Sequence, residues 1–164
     1  TLGLTPVKIF HKGYYDHMEE SHELLVSYGN EKIWDVLAEN PRNRVVVFGE
    51  QPEMLRFPCS TQSYTDIEGS GGNFNLSSSP EALAEFFTFA GVDHIYLGSG
   101  YLKPGTDGFR NVTGLLKQGY LSDLLYENGN GLAVFSPEPR ELSAEESEAL
   151  LAEFTEKYWP GEQQ

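Results

Sequence analysis

The chain has 164 residues, 39% hydrophobic and 13% aromatic, enough to bury one core and too apolar for a disordered polypeptide. Its net charge of −14 opposes phosphate backbones and anionic lipid, which argues against nucleic acid as a partner. The single cysteine, Cys59, excludes an internal disulfide and any paired-cysteine metal or redox motif.

No apolar run approaches the roughly 20 residues needed to cross a bilayer. Starting at Thr1 with no leader, the sequence reads as a mature fragment of something longer. Residues 1–13 alternate weakly, with Val7 and Ile9 against Lys8 and His11, and read as a linker or an edge strand. The stretch DHMEESHELLVSYG places Met18, Leu24, Leu25 and Tyr28 at helical spacing and stops at Gly29. NEKIWDVLAEN restarts a helix that buries Ile33, Trp34 and Leu37, and Pro41 ends it.

In the strand Arg44–Phe48, the apolar run Val45–Phe48 is closed by Gly49, the pattern of a strand covered on both faces in a parallel sheet. Residues 50–78 are rich in Pro, Gly and Ser and read as an irregular loop or insertion, with one short strand near Met54–Phe57. Ser79 caps the next helix, with Pro80 at its first position and a stripe of Leu83, Phe86, Phe87 and Ala90. Gly91 ends it, and VDHIYLGS is a strand.

After the glycine-rich 98–108 loop, apolar spacing predicts a helix over Val112–Glu127, weakened at Gly114 and Gly119 by about 1 kcal/mol each. LAVFSP is a further strand. Ser143 and Glu146 form a capping box for a last helix with core face Leu150, Leu151, Phe154 and Tyr158. Alternating helix and strand predict a single three-layer, Rossmann-like α/β domain with a short, mostly parallel sheet, whose strand ends share one ligand-binding edge.

The chemistry sought in this frame is mostly missing. A dinucleotide site needs GxGxxG between strand and helix, but Gly49 is followed by Glu50 and Glu53, acids that repel phosphate. Gly98, Gly100 and Gly105 come closer yet lack the third glycine of the fingerprint and any following GK[ST]. No cofactor is expected. His17 and His22 are five apart, wrong for two ligands on one helix face, and no metal is expected either.

No GxSxG elbow supports Ser60, Ser63 or Ser70 as a nucleophile. Asp66 and Glu68 fall in the irregular stretch, where a loop can aim two carboxylates into a cleft. With Tyr64, Tyr101 and Glu50 they form the candidate ligand or partner surface; no catalytic residue is assigned. Asn75 and Asn111 begin sequons, meaningful only in a secretory setting.

The order EKIWDVLAENPRNRVVVFGE, a polar loop, then SSPEALAEFFTFAGVDHIYLGS resembles the soluble C-terminal region of polytopic membrane glycosyltransferases of the GT-C type and related bacterial membrane proteins. The resemblance covers roughly residues 30–100 and more weakly 112–136. It rests on apolar and turn residues with no catalytic signature.

It implies a non-catalytic accessory domain on the extracytoplasmic face, partnered by the membrane domain of its own polypeptide and assisting recognition of acceptor, glycan or lipid-linked sugar. The family's catalytic acids lie in loops between membrane helices, so none is carried over to a residue here. The competing expectation is a stand-alone extracytoplasmic carbohydrate-binding or hydrolytic domain that uses the 58–74 and 98–108 loops.

Overall fold

A computed structural model describes residues 30–49, 55–69 and 76–158. Its elements are α1 (Glu31–Ala38), β1 (Arg44–Phe48), β2 (Ser60–Ser63), α2 (Tyr64–Gly69), α3 (Pro80–Ala90), β3 (His94–Leu97), α4 (Asp107–Lys117), β4 (Leu121–Glu127), β5 (Asn130–Phe135) and α5 (Ala144–Tyr158). The five strands form one sheet in the order β2-β1-β3-β5-β4. β2, β1 and β3 run parallel, while β5 lies antiparallel to both β3 and β4.

Helices cover both faces, as the alternation of apolar runs requires. Ile33, Trp34 and Leu37 of α1 pack on Val45, Val47, Tyr96 and Leu132. On the other face, Val46, Phe48, Ile95, Leu97, Ala133 and Phe135 meet Ile67 of α2, Leu83 and Phe87 of α3, Leu115 and Leu116 of α4, and Phe154 of α5. Both faces of β1 are thus buried, which explains why its sequence is an unbroken run rather than an alternation. The expected three-layer α/β architecture is present.

Three expectations about elements change. The helix predicted over Val112–Glu127 is instead α4 at Asp107–Lys117 followed by β4. Gly119 makes the break: at φ +86 it follows the helix while its N–H reaches the Leu116 carbonyl and that of Tyr120 reaches Leu115. Any Cβ there would overlap the Arg140 backbone, so this glycine terminates the helix rather than weakening its interior. The leucines of β4 then pair across a two-residue Asn128-Gly129 turn with both residues at positive φ.

The irregular stretch contains β2 and α2, and residues 55–57 form no strand; Met54 lies outside the described residues. β2 escaped sequence reading because Ser60-Thr-Gln-Ser is polar and largely exposed, as an edge strand permits. In α3, Phe87 is fully buried and Phe86 only packs against the core, so the centre of the stripe is Leu83, Ala84 and Phe87.

Local caps agree with the sequence. Ser79 accepts from the Ala82 N–H at 3.1 Å, and Ser143 and Glu146 exchange hydrogen bonds of 2.8 and 3.1 Å. Gly114 has a packing role, since a Cβ at that position would overlap the Pro80 ring where α3 and α4 pass.

Candidate functional site

In an open α/β sheet, ligands sit outside the carboxyl ends of the strands where successive connections leave in opposite directions. Here that point lies between β1, whose connection leads to β2 on one side, and β3, whose connection leads toward β4 and β5 on the other. Gly49 and Gly98 follow these two strands. The Gly98 N–H donates to the Phe48 carbonyl at 2.8 Å, which extends the parallel β1–β3 ladder to the ends of both strands.

The space above them is filled from within. Tyr158, at the end of α5, donates its hydroxyl to the Gly98 carbonyl and accepts from the Leu102 N–H at 3.4 Å. Burial pushes that phenol up to about 12, so it remains a neutral donor at physiological pH. Leu102 is 1% exposed beside it. Tyr64 stacks on Phe48 with ring centroids 4.3 Å apart and receives a hydrogen bond from Asn111 Nδ2 at 3.1 Å. Among the described residues, these side chains pack beside the carboxyl ends of β1 and β3.

The expected surface residues separate. Tyr64 is a correction: at 1% exposure its ring belongs to the core, and its hydroxyl is held by Asn111. It was misread because a tyrosine in a Ser-, Gly- and Pro-rich stretch carries no periodic signal of burial. Asp66 and Glu68 are exposed on α2. Tyr101 is half-buried, with its hydroxyl 3.0 Å from Thr65 Oγ1, so the 58–74 and 98–108 loops do meet at one edge. Glu50, His11, His17, His22 and Asn75 lie outside the described residues.

Asn111 is 0% exposed and donates to both Tyr64 and the Ser77 carbonyl at 2.8 Å, so its amide is structural in the folded domain. Among the described residues, no group of three or more His, Cys, Asp or Glu side chains is placed to hold a metal. Cys59 is half-buried, and burial followed by the nearby Asp93 carboxylate pushes its thiol up to about 11. A thiol with so little thiolate at neutral pH is a poor nucleophile.

Sequence reading missed a polar cluster beside the same edge. Asn30, just before α1, gives its side-chain N–H to the Tyr96 hydroxyl at 2.9 Å and accepts from Asn130 Nδ2 at 2.9 Å. Asn130 Oδ1 in turn accepts from the Ser99 N–H at 2.8 Å. With Asn30 committed there, its side chain does not cap α1; Glu127 does, its carboxylate accepting from the Lys32 N–H at 3.0 Å and approaching that of Ile33.

The start of α1, the β4–β5 turn and the loop after β3 are thereby fastened together. Tyr158 adds the C-terminal part of α5 to the same edge through Gly98 and Leu102. The only sequence hint was an asparagine at each of two turns, at positions where asparagine is ordinary.

These features define a three-layer α/β domain with a mixed five-stranded sheet. No protein family, curated protein or solved structure matches the chain. No helix among the described residues is long and apolar enough to cross a membrane.

Proposed function

We propose that this domain is a non-catalytic accessory module of a membrane-embedded, glycosyltransferase-like protein, held on its extracytoplasmic face and helping to shape recognition of an acceptor or glycan. The observation that carries the non-catalytic part is the filled switch point. The place where an α/β domain ordinarily seats a cofactor or substrate is taken by Tyr158, Leu102 and the Tyr64–Phe48 stack. The membrane partner is proposed from the resemblance of residues 30–100.

A second reading keeps one observation in its favour. Thr65 and Tyr101 join the two loops at that edge beside exposed carboxylates, an arrangement suited to a sugar hydroxyl or ring face. Calorimetric titration of the chain with ATP, NAD, nucleotide sugars and an oligosaccharide panel separates these readings. The accessory role predicts no saturable nucleotide binding and no hydrolysis, together with reduced transfer activity when residues 30–158 are deleted from the intact polypeptide. Saturable nucleotide binding that Gly98→Val abolishes would overturn it, and oligosaccharide binding lost in Tyr101→Ala would establish the second reading.

A further inference from the structure

The loop between β3 and α4 is built from two short turns. The Tyr101 N–H donates to the Gly98 carbonyl at 3.2 Å, and the Thr106 N–H to the Lys103 carbonyl at 3.1 Å. Gly100 at φ +73 and Gly105 at φ +87 take the third position of each turn, the place that a type II turn reserves for glycine. Among the described residues, a Cβ on either glycine would meet nothing within 4 Å. Both turns therefore close through their own backbone, and no described residue packs on the loop at these two points.

Between the turns, Tyr101-Leu102-Lys103 is held from three directions. Leu102 is buried against α4 in room that Gly108 leaves clear: a Cβ there would lie 3.2 Å from both Leu102 Cδ2 and Tyr64 Cε1. Tyr158 of α5 accepts from the Leu102 N–H at 3.4 Å, beyond the usual range of such bonds, while donating to the Gly98 carbonyl. On the outer side the Tyr101 hydroxyl lies 3.0 Å from Thr65 Oγ1, in a contact exposed to water.

We propose that Tyr101–Lys103 is a lid that lifts on the two glycine turns, with Leu102 as its tip and Tyr158 as the latch that keeps it down beside the carboxyl ends of β1 and β3. Lifting breaks the Tyr158 and Thr65 contacts and withdraws Leu102. The bonds inside both turns, the Ser99–Asn130 bond at the base of the loop and the Thr106 cap of α4 stay intact. The space that Leu102 vacates is walled by the Tyr64–Phe48 stack, Gly108 and Tyr158, at the strand ends where α/β sheets take ligands. Only one apolar side chain leaves the core, so the opening is local and far easier than unfolding. It uses contacts among described residues alone and stands whether or not the accessory role holds.

The test is NMR on the full 164-residue chain, read first by amide hydrogen exchange in low urea. A lid predicts that the Leu102 N–H exchanges at a rate independent of urea, because local opening exposes little surface, while Leu115 and Leu116 of α4 follow global unfolding. The second reading is methyl relaxation dispersion in Tyr158→Phe, which keeps the ring and removes the latch. There the open population of Leu102 should grow on the order of tenfold, the equivalent of about one hydrogen bond, while Leu150 and Leu151 of α5 stay flat. Exchange of the Leu102 N–H with the urea slope of global unfolding would overturn the proposal, and that measurement decides alone if Tyr158→Phe does not fold. Flat dispersion at Leu102 would also overturn it, as would equal dispersion at Leu150 and Leu151, which indicates detachment of the whole helix.

Discussion

Replacing Asn130 by Ala tests whether the buried asparagine cluster fastens the start of α1 to the β4–β5 turn and the loop after β3. The substitution removes two hydrogen bonds: the 2.9 Å bond to Asn30 Oδ1, which is buried, and the 2.8 Å bond from the Ser99 N–H, which is nearer solvent. Water can replace the second partner, so its loss costs little beyond the roughly 0.5–1.5 kcal/mol net value of an ordinary bond. The first leaves Asn30, at 0% exposure, with a carbonyl oxygen served only by the more distant Tyr96 hydroxyl at 3.2 Å.

An under-satisfied buried group costs about 1–3 kcal/mol. The sum is about 2–4 kcal/mol, read as a fall in the urea midpoint at unchanged slope. Tyr96→Phe should cost less, about 1–2 kcal/mol, since the ring and its packing remain. Because both changes act through Asn30, the double variant should fall short of the sum of the two. A loss below about 0.5 kcal/mol for Asn130→Ala, or strict additivity with Tyr96→Phe, would refute the idea that these side chains work as one clip.

Gly114→Ala should destabilise by about 1–3 kcal/mol despite the roughly 1 kcal/mol that alanine gains in an isolated helix, because its methyl would overlap the Pro80 ring. Thermal unfolding checks the sign, and a stabilised variant would show that α3 and α4 part easily. His94 is held neutral by burial, which lowers its pKa below 6.5 against a smaller opposing effect of Asp93, and its Nδ1 has no hydrogen-bond partner. The unfolded chain therefore takes up this proton first, so the contribution of His94 is full above about pH 6.5 and is lost as pH falls from there toward the folded value. Urea midpoints between pH 7.5 and 5 should decline more steeply in the parent than in His94→Gln; equal slopes would remove His94 as the cause.

Much of this fold follows from local sequence. Val45–Phe48 and Ile95–Leu97 are apolar without interruption because helices cover both faces of the central strands, and Ser79-Pro80 and Ser143-Glu146 mark helix starts through bonds made within one turn.

Tertiary structure decided what depends on partners distant in the chain. The leucines of β4 fit a helix equally well until Gly119 turns the chain and β5 offers a ladder of hydrogen bonds. β2 is a strand only because β1 lies beside it, its own four residues being polar. Tyr64 moves from a surface candidate to the core because Phe48 and Asn111, separated from it by 16 and 47 positions, converge on its ring and hydroxyl. The clip of Asn30, Tyr96 and Asn130 joins residues as far as 100 positions apart. A short-range pattern records which face of an element is apolar, but not which polar groups will find each other once those faces are buried.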